Sequence, residues 1–170
     1  MATKKLTFLG LMLALILILT MLENMLPPFP MLPPQFGRIG LSNVIIMYLI
    51  FFLGKKEAVA MAVIKALFSV LTRGPIAGLL SLAGGLLAVV MICFLLWVFK
   101  HSISYVALSI AGAIGHNVGQ LLTACVIMQN WNLFVFYFPV LLISGVIFGT
   151  ITGVFLQVIM PVFNKIHKGW

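Results

Sequence analysis

The sequence contains no aspartate and only two acidic residues, Glu23 and Glu57. On the topology predicted from the basic residues, these two glutamates lie at opposite membrane faces, so they cannot act together as a catalytic acid–base pair. An aspartate-rich magnesium diphosphate site cannot be built either. The chain also lacks a Walker A sequence, which predicts that it does not itself hydrolyse ATP. We therefore expect no enzymatic activity.

Cysteine and charge are also scarce. Cys93 and Cys125 are the two cysteines; both lie in apolar segments and form no CxxC or Cys/His cluster, so we interpret them as small buried hydrophobic residues. Only 7% of residues are charged, although the net charge is +8. The basic residues stand in ones and twos between apolar runs, a pattern that indicates membrane topology and not a nucleic-acid partner.

Hydrophobic residues are abundant instead, at 64% of the 170 residues, with a mean hydropathy of +1.28. Such values predict an all-α integral membrane protein. At roughly 20 residues per span, the length suits a bundle of six transmembrane helices in a single domain, residues 1–170. We read the first apolar run as an uncleaved helix, since no small-residue cleavage site follows it. The predicted helices are about 6–26, 39–53, 58–72, 75–99, 103–128 and 134–163.

Basic residues predict the orientation of this bundle. With the N-terminus inside, seven of them are cytoplasmic, Arg38 and Arg73 are external, and Lys65 lies within a span. This bias places both termini in the cytoplasm of a multi-pass cell-membrane protein. The proline-rich stretch from Pro27 to Arg38 then faces outward. Because that stretch is apolar and cannot be a regular helix, we expect it to fold back over the bundle as a plug or lid.

A polar run interrupts the fifth helix between Ala113 and Thr123. At helical spacing His116, Asn117 and Gln120 share one sector, while Gly112, Gly115 and Gly119 line the neighbouring one. The glycines favour close packing against another helix. The polar sector can bind a neutral heterocycle or amide, or it can hold helices together. Metal binding by His116 is disfavoured because no second histidine lies in the spans.

Lys65 lies near the middle of the third helix, on one face with Ser69 and Thr72 and next to Arg73. A charge at mid-span costs roughly 2.5 to 3.5 kcal/mol on insertion scales. Two interpretations remain open: Lys65 meets an anionic or carbonyl-bearing ligand, or it snorkels or pairs structurally with Glu23.

Five stretches together resemble the Gx transporter family, whose members are often labelled heptaprenyl diphosphate synthase component I. The resemblance covers nearly the whole chain, and the run from Gly115 to Leu121 is its most specific part. The stretches are Gly40–Asn43, Lys55–Ala58, Ser81–Gly85, Gly115–Leu121 and Pro139–Gly145. That family is similar to the S components of energy-coupling factor (ECF) transporters, which are six-helix proteins that capture vitamins and work with a transmembrane coupling subunit and two cytoplasmic ATPases.

The resemblance implies that Pro27 to Arg38 gates an outward pocket and that Gly10 and Ala14 of the first helix contact the coupling subunit. The expected cargo is a vitamin-, flavin- or isoprenoid/quinone-precursor-like molecule, bound without a cofactor or metal. An alternative is a membrane anchor for a flavin-bearing extracytoplasmic redox partner in extracellular electron transfer. The predicted ligand-binding residues are Lys65, Arg73, His116, Asn117 and Gln120, with Glu23, Arg38 and Asn43 at the mouth.

Overall fold

The residues that the computed structural model describes, 2–25, 40–100 and 102–168, form six α-helices and contain no strand. The predicted lid from Pro27 to Arg38, including the candidate residue Arg38, lies outside the described residues. In chain order the helices are α1 (Ala2–Met25), α2 (Leu41–Phe52), α3 (Lys55–Arg73), α4 (Pro75–Phe99), α5 (Tyr105–Ile127) and α6 (Asn132–Lys168).

Local sequence explains where several of these helices begin. Gly54 and Gly74 precede α3 and α4 with φ values of 123° and 91°, which favour glycine. Pro75 follows at the first position of α4, where a missing N–H costs nothing. Helix α5 begins two residues later than predicted because Ser104 caps it, its Oγ accepting from the Ala107 N–H at 3.2 Å.

Helix α2 lies at the centre of the main hydrophobic core. Seven consecutive residues, Val44 to Ile50, are buried, so α2 is covered on every side. Met12 and Ile16 of α1 and Leu156 of α6 are fully buried in the same cluster. With 12 residues, α2 is only about 18 Å long at 1.5 Å per residue. It is therefore an internal helix that neighbouring helices shield.

Helices α3 to α6 pack through small residues. In α3, Ala58, Ala62 and Ala66 are buried, as expected of their small-xxx-small spacing. In α6, a Cβ at Gly149 would lie 2.5 Å from the Ile110 Cα, which places the α6 backbone directly on α5. The prediction that the glycine stripes are packing surfaces is confirmed.

The outer surface is that of a membrane protein. Large apolar side chains such as Phe94, Trp97 and Ile147 are exposed, and the exposed apolar surface is larger than is usual for a soluble protein. Within the described part of the chain, four helical segments are long and apolar enough to cross a membrane: Thr3–Met25, Pro75–Phe99, Tyr105–Ile127 and Asn132–Pro161.

Helix α3 is not among those four because charged residues lower its hydropathy. Its central charge points inward: Lys65 is buried, together with Ser69. The exposed positions along its middle are all apolar: Val59, Ala60, Val63, Ile64, Leu67, Val70 and Leu71. The side that α3 turns away from the bundle is thus as apolar as those of its neighbours.

Candidate functional site

The polar run of α5 is positioned by a close crossing with α4. A Cβ at Gly119 would lie 2.6 Å from the Ala83 carbonyl oxygen and 2.9 Å from the Gly84 Cα. A Cβ at Gly84 would in turn meet the His116 Nδ1 at 2.8 Å and the Gln120 Cγ at 2.9 Å. Two glycines facing each other therefore bring α4 against the α5 backbone and set the polar side chains beside the contact.

A polar cavity opens next to this crossing. Its wall combines the last turns of α1, the residue before α2, the second half of α3, the first half of α4 and the polar run of α5. All of these lie toward the end of the bundle where α1 ends and α2 begins. The lining residues are Thr20, Glu23, Gly40, Lys65, Arg73, Ser81, His116, Asn117 and Gln120.

Six of the eight predicted ligand-binding residues thus share one cavity. The sequence reasoning missed Thr20 and Ser81 as members of this wall. Both are buried hydroxyl-bearing residues. The sequence offered only one indication of their position, a helical spacing that places Thr20 near Glu23 and Ser81 near Gly84. Asn43 contributes through a hydrogen bond to Lys65 and otherwise lines a second cavity.

Two buried ionisable side chains hold the start of α2. Glu23 of α1 accepts hydrogen bonds from the Ser42 N–H, at 3.3 Å, and from the Ser42 Oγ, at 3.2 Å. Ser42 lies in the first turn of α2, where backbone N–H groups lack helical partners, so this carboxylate caps α2 from a neighbouring helix. Lys65 of α3 donates to the Asn43 Oδ1 at 2.7 Å. The start of α2 is therefore connected to both α1 and α3.

The remaining polar residues bond within α3, within α5 and toward α6. Arg73 donates to the Ser69 Oγ at 3.1 Å, one turn back along α3. The Gln120 Nε2 and His116 Nε2 lie 3.1 Å apart on α5. Asn117 donates to the Leu141 carbonyl of α6 at 2.8 Å. Asn117 thus joins two helices while it also lines the cavity, so the two interpretations of this residue are compatible.

A second, mainly apolar cavity adjoins the first. The two share Gly40, His116 and Asn117 in their walls. The second cavity extends between α2, α4, α5 and α6, with Met47, Val89, Ile92 and Phe148 among its lining. Two wall hydroxyls, Ser109 and Thr152, bond each other at 2.8 Å, so the part of the wall between α5 and α6 has its polar groups paired.

Both cavities are narrow. A water molecule's centre can reach about 40 Å³ of the apolar cavity and about 20 Å³ of the polar one. That is space for a few water molecules, since one water needs roughly 10 to 15 Å³ by this measure. A larger ligand therefore requires the surrounding helices to move apart.

The predicted subunit-contact residues lie elsewhere. Gly10 and Ala14 are exposed on the side of α1 that faces away from the bundle. A Cβ at Gly10 would meet no atom within 4 Å. This strip is open to lipid or to another protein. Within the described ranges, no group of three His, Cys, Asp or Glu side chains is placed to hold a metal ion.

The fold and the buried polar cavity define the class: a helical membrane protein with an internal site. The sequence matches the family described as heptaprenyl diphosphate synthase component I over residues 12–159. The chain belongs to this family, the Gx transporter family. A comparison with curated proteins gives no match.

Among solved structures, the chain is similar to the S component of a bacterial ECF transporter, with a TM-score of 0.60 and 19% sequence identity. The similarity covers 99% of this chain and 98% of that one. The chain therefore has the fold of an S component. The predicted family and the predicted all-α, S-component-like fold are confirmed.

Proposed function

We propose that the protein is the substrate-binding membrane subunit of an ECF-type uptake transporter. The observation that carries this proposal is the polar cavity, in which buried Glu23, Lys65 and Gln120 are gathered from three helices inside an S-component fold. Buried ionisable groups are costly in a membrane and typically mark substrate pathways. The cargo is a small molecule that binds in this cavity.

The proposal includes six membrane-crossing segments with both termini in the cytoplasm. Helix α3 has a lower hydropathy than the four long apolar helices, but its outer side is apolar, so it can lie in a bilayer. Helix α2 is shorter than those four, but its neighbours shield it from lipid. The polar cavity then lies in the outer half, because the α1 end, the α2 start and the α3 end are all external.

In this proposal, the strip of Gly10 and Ala14 contacts the transmembrane coupling subunit, and cytoplasmic ATPases drive transport. Both residues are exposed, and small residues let two helices approach closely. A bulky side chain there blocks that approach without disturbing the internal packing of this chain.

Affinity purification of the full chain from its native membrane tests the proposal. We expect a coupling subunit and ATPases to co-purify with the wild type and to be lost, by about ten-fold or more, from the Ala14→Leu variant. Ala60→Leu is the matched control, since Ala60 is also a small exposed residue but lies on α3. Equal recovery with both variants would contradict the assigned contact.

Recovery of a flavin-bearing extracytoplasmic redox protein in place of the ATPases would contradict transport. That result would favour the alternative, a membrane anchor in extracellular electron transfer.

A further inference from the structure

The arrangement of the two cavities carries information about the shape of the molecule that they bind. The polar cavity contains the ionisable groups, and the apolar cavity contains mainly hydrocarbon. They are neighbours, sharing Gly40, His116 and Asn117. A single molecule that filled both would need different chemistry at its two ends.

The charge in the polar cavity is unequal. Lys65 and Arg73 contribute two positive charges, and Glu23 contributes one negative charge. Among the described lining residues, the walls therefore carry one net positive charge when His116 is neutral. Because uncompensated charge is costly inside a membrane, a ligand group with one negative charge is favoured here. An ammonium group would add to the imbalance.

The geometry around Lys65 fits such an anion. Its ammonium donates to Asn43 at the start of α2, and the Glu23 carboxylate is occupied by Ser42 beside it. An ammonium has three donor hydrogens, and Lys65 lines the cavity as well as bonding Asn43, so a ligand carboxylate oxygen can replace one of its present partners. His116 and Gln120 add further hydrogen-bonding groups on the α5 side.

The apolar cavity is matched to a hydrocarbon or aromatic body. Val89, Ile92 and Met47 are buried in its wall. Its hydroxyls are internally bonded, with Thr152 also donating to the Phe148 carbonyl at 2.8 Å. A sugar-like body would find few partners there and would lose its bonds to water.

We infer that the ligand is an amphipathic monoanion. Its carboxylate or phosphodiester group binds at Lys65 and Arg73, and its apolar body enters the cavity between α2, α4, α5 and α6. His116 and Asn117 meet the ligand where its two parts join. This inference rests on the proposed function and narrows its substrate class.

The test is equilibrium dialysis of the full chain, held in lipid nanodiscs, against the small-molecule fraction of a bacterial cell extract. Mass spectrometry then identifies the molecules that the protein enriches over empty nanodiscs. We expect enrichment of a monoanion with an apolar body. Enrichment of a cation, or of a uniformly polar molecule, overturns this inference and leaves the transport function standing. Enrichment of nothing contradicts the proposed function itself.

Two variants locate the parts of the ligand. Lys65→Met removes the ammonium that binds the anion. It is expected to lower the affinity for the enriched monoanion about ten-fold or more, as for other charge-assisted bonds. Lys56→Met is its control, because Lys56 is exposed at the start of α3. Retained affinity in the folded Lys65→Met protein overturns the anion site.

Ala113→Leu fills the apolar cavity, which Ala113 lines. Naphthoate and acetate are the probes, with thermal stabilisation as the measurement. Naphthoate should stabilise the wild type more than its neutral amide does, and Ala113→Leu should abolish the advantage of naphthoate over acetate. Ala60→Leu, on the outer surface, should preserve that advantage. Equal stabilisation by naphthoate and its amide, or an unchanged advantage in Ala113→Leu, contradicts the two-part site.

Discussion

Helix α5 lines both cavities, and α2 lines the apolar one, with Gly40 just before α2 in both walls, but different contacts hold the two helices. Helix α5 is pressed against its neighbours at glycines, with Gly119 over Ala83 of α4 and Gly149 of α6 over Ile110. The start of α2 is joined to its neighbours by side-chain hydrogen bonds, from Ser42 to Glu23 and from Lys65 to Asn43. Backbone contact thus fixes α5 in place, whereas hydrogen bonds between polar groups hold the start of α2.

This difference shows which wall a ligand can move. Backbone atoms in van der Waals contact cannot separate without opening the whole crossing. A hydrogen bond such as that between Lys65 and Asn43 can instead be exchanged for one to a ligand. Since both cavities are too narrow for a vitamin-sized molecule, we expect α2 to yield while α4, α5 and α6 keep their arrangement.

The largest effect is expected from one methyl group added at the α4–α5 crossing, which tests whether backbone contact holds α5. In Gly119→Ala the new Cβ would lie 2.6 Å from the Ala83 carbonyl oxygen, an atom that cannot rotate away. We expect a loss of about 3 kcal/mol or more in stability, at the upper end of overpacking costs. Thermal unfolding in detergent, followed by tryptophan fluorescence, measures the change.

Gly85→Ala is the matched control for that variant. Gly85 lies on α4 one residue from the crossing, and its new Cβ would be 3.4 Å from the Ala62 Cβ, an ordinary contact. Its stability should equal or exceed that of the wild type, since alanine is the better helix former. If the two variants were equally stable, the close approach at Gly119 would have no energetic importance.

A smaller effect is expected where α2 meets α1. Glu23→Ala removes the carboxylate that accepts from the Ser42 N–H and Oγ, leaving the first turn of α2 without that cap. We expect a cost of about 1 to 2 kcal/mol, as for other caps. Hydrogen–deuterium exchange should rise in α2 and stay unchanged in α5.

Glu57→Ala provides the comparison, because Glu57 is the only other acidic residue. Its partner is Lys5 on the surface of α1, and the hydrogen bond from Lys5 lowers the pKa of the Glu57 carboxyl. Exposed ion pairs contribute little, so exchange in α2 should not change. Equal exchange in α2 for both variants would show that Glu23 does not hold the start of that helix.

Much of α5 could be predicted from the sequence because its information is local. Gly115 and Gly119 lie four residues apart, and so do His116 and Gln120, so helical geometry alone assigns them to two faces. The pairing of Asn117 with the Leu141 carbonyl could not be predicted. Every residue has a backbone carbonyl, and only the way in which α5 packs against α6 determines which carbonyl lies next to the Asn117 amide.

The apolar cavity was missed for a different reason. Its lining residues, such as Val89 and Ile92, have the same side chains as the lipid-facing Val90 and Ile147. In a soluble protein, an apolar stripe distinguishes the inside of a helix from the outside. Here the solvent is apolar too, so composition carries no such distinction, and only polar and glycine positions mark the interior.

The smallest predicted effect concerns a hydrogen bond within the fixed wall. The Ser109 and Thr152 hydroxyls form a hydrogen bond that joins α5 to α6, and the Thr152 Oγ1 also lies 2.8 Å from the Phe148 carbonyl. Ser109→Ala and Thr152→Val keep side-chain volume nearly constant. In a double-mutant cycle, we expect a coupling of about 0.6 kcal/mol, the average for such bonds in membranes.

That small coupling follows from the glycine contacts on either side of the bond. A Cβ at Gly149 would lie 2.5 Å from the Ile110 Cα, and a Cβ at Gly153 would lie 2.7 Å from the Val106 Cα, so packing already fixes α6 against α5. Removing the hydroxyls leaves this contact intact. A coupling above about 2 kcal/mol would exceed the largest value typical of such bonds. It would mean that α5, like the start of α2, is held mainly by polar groups.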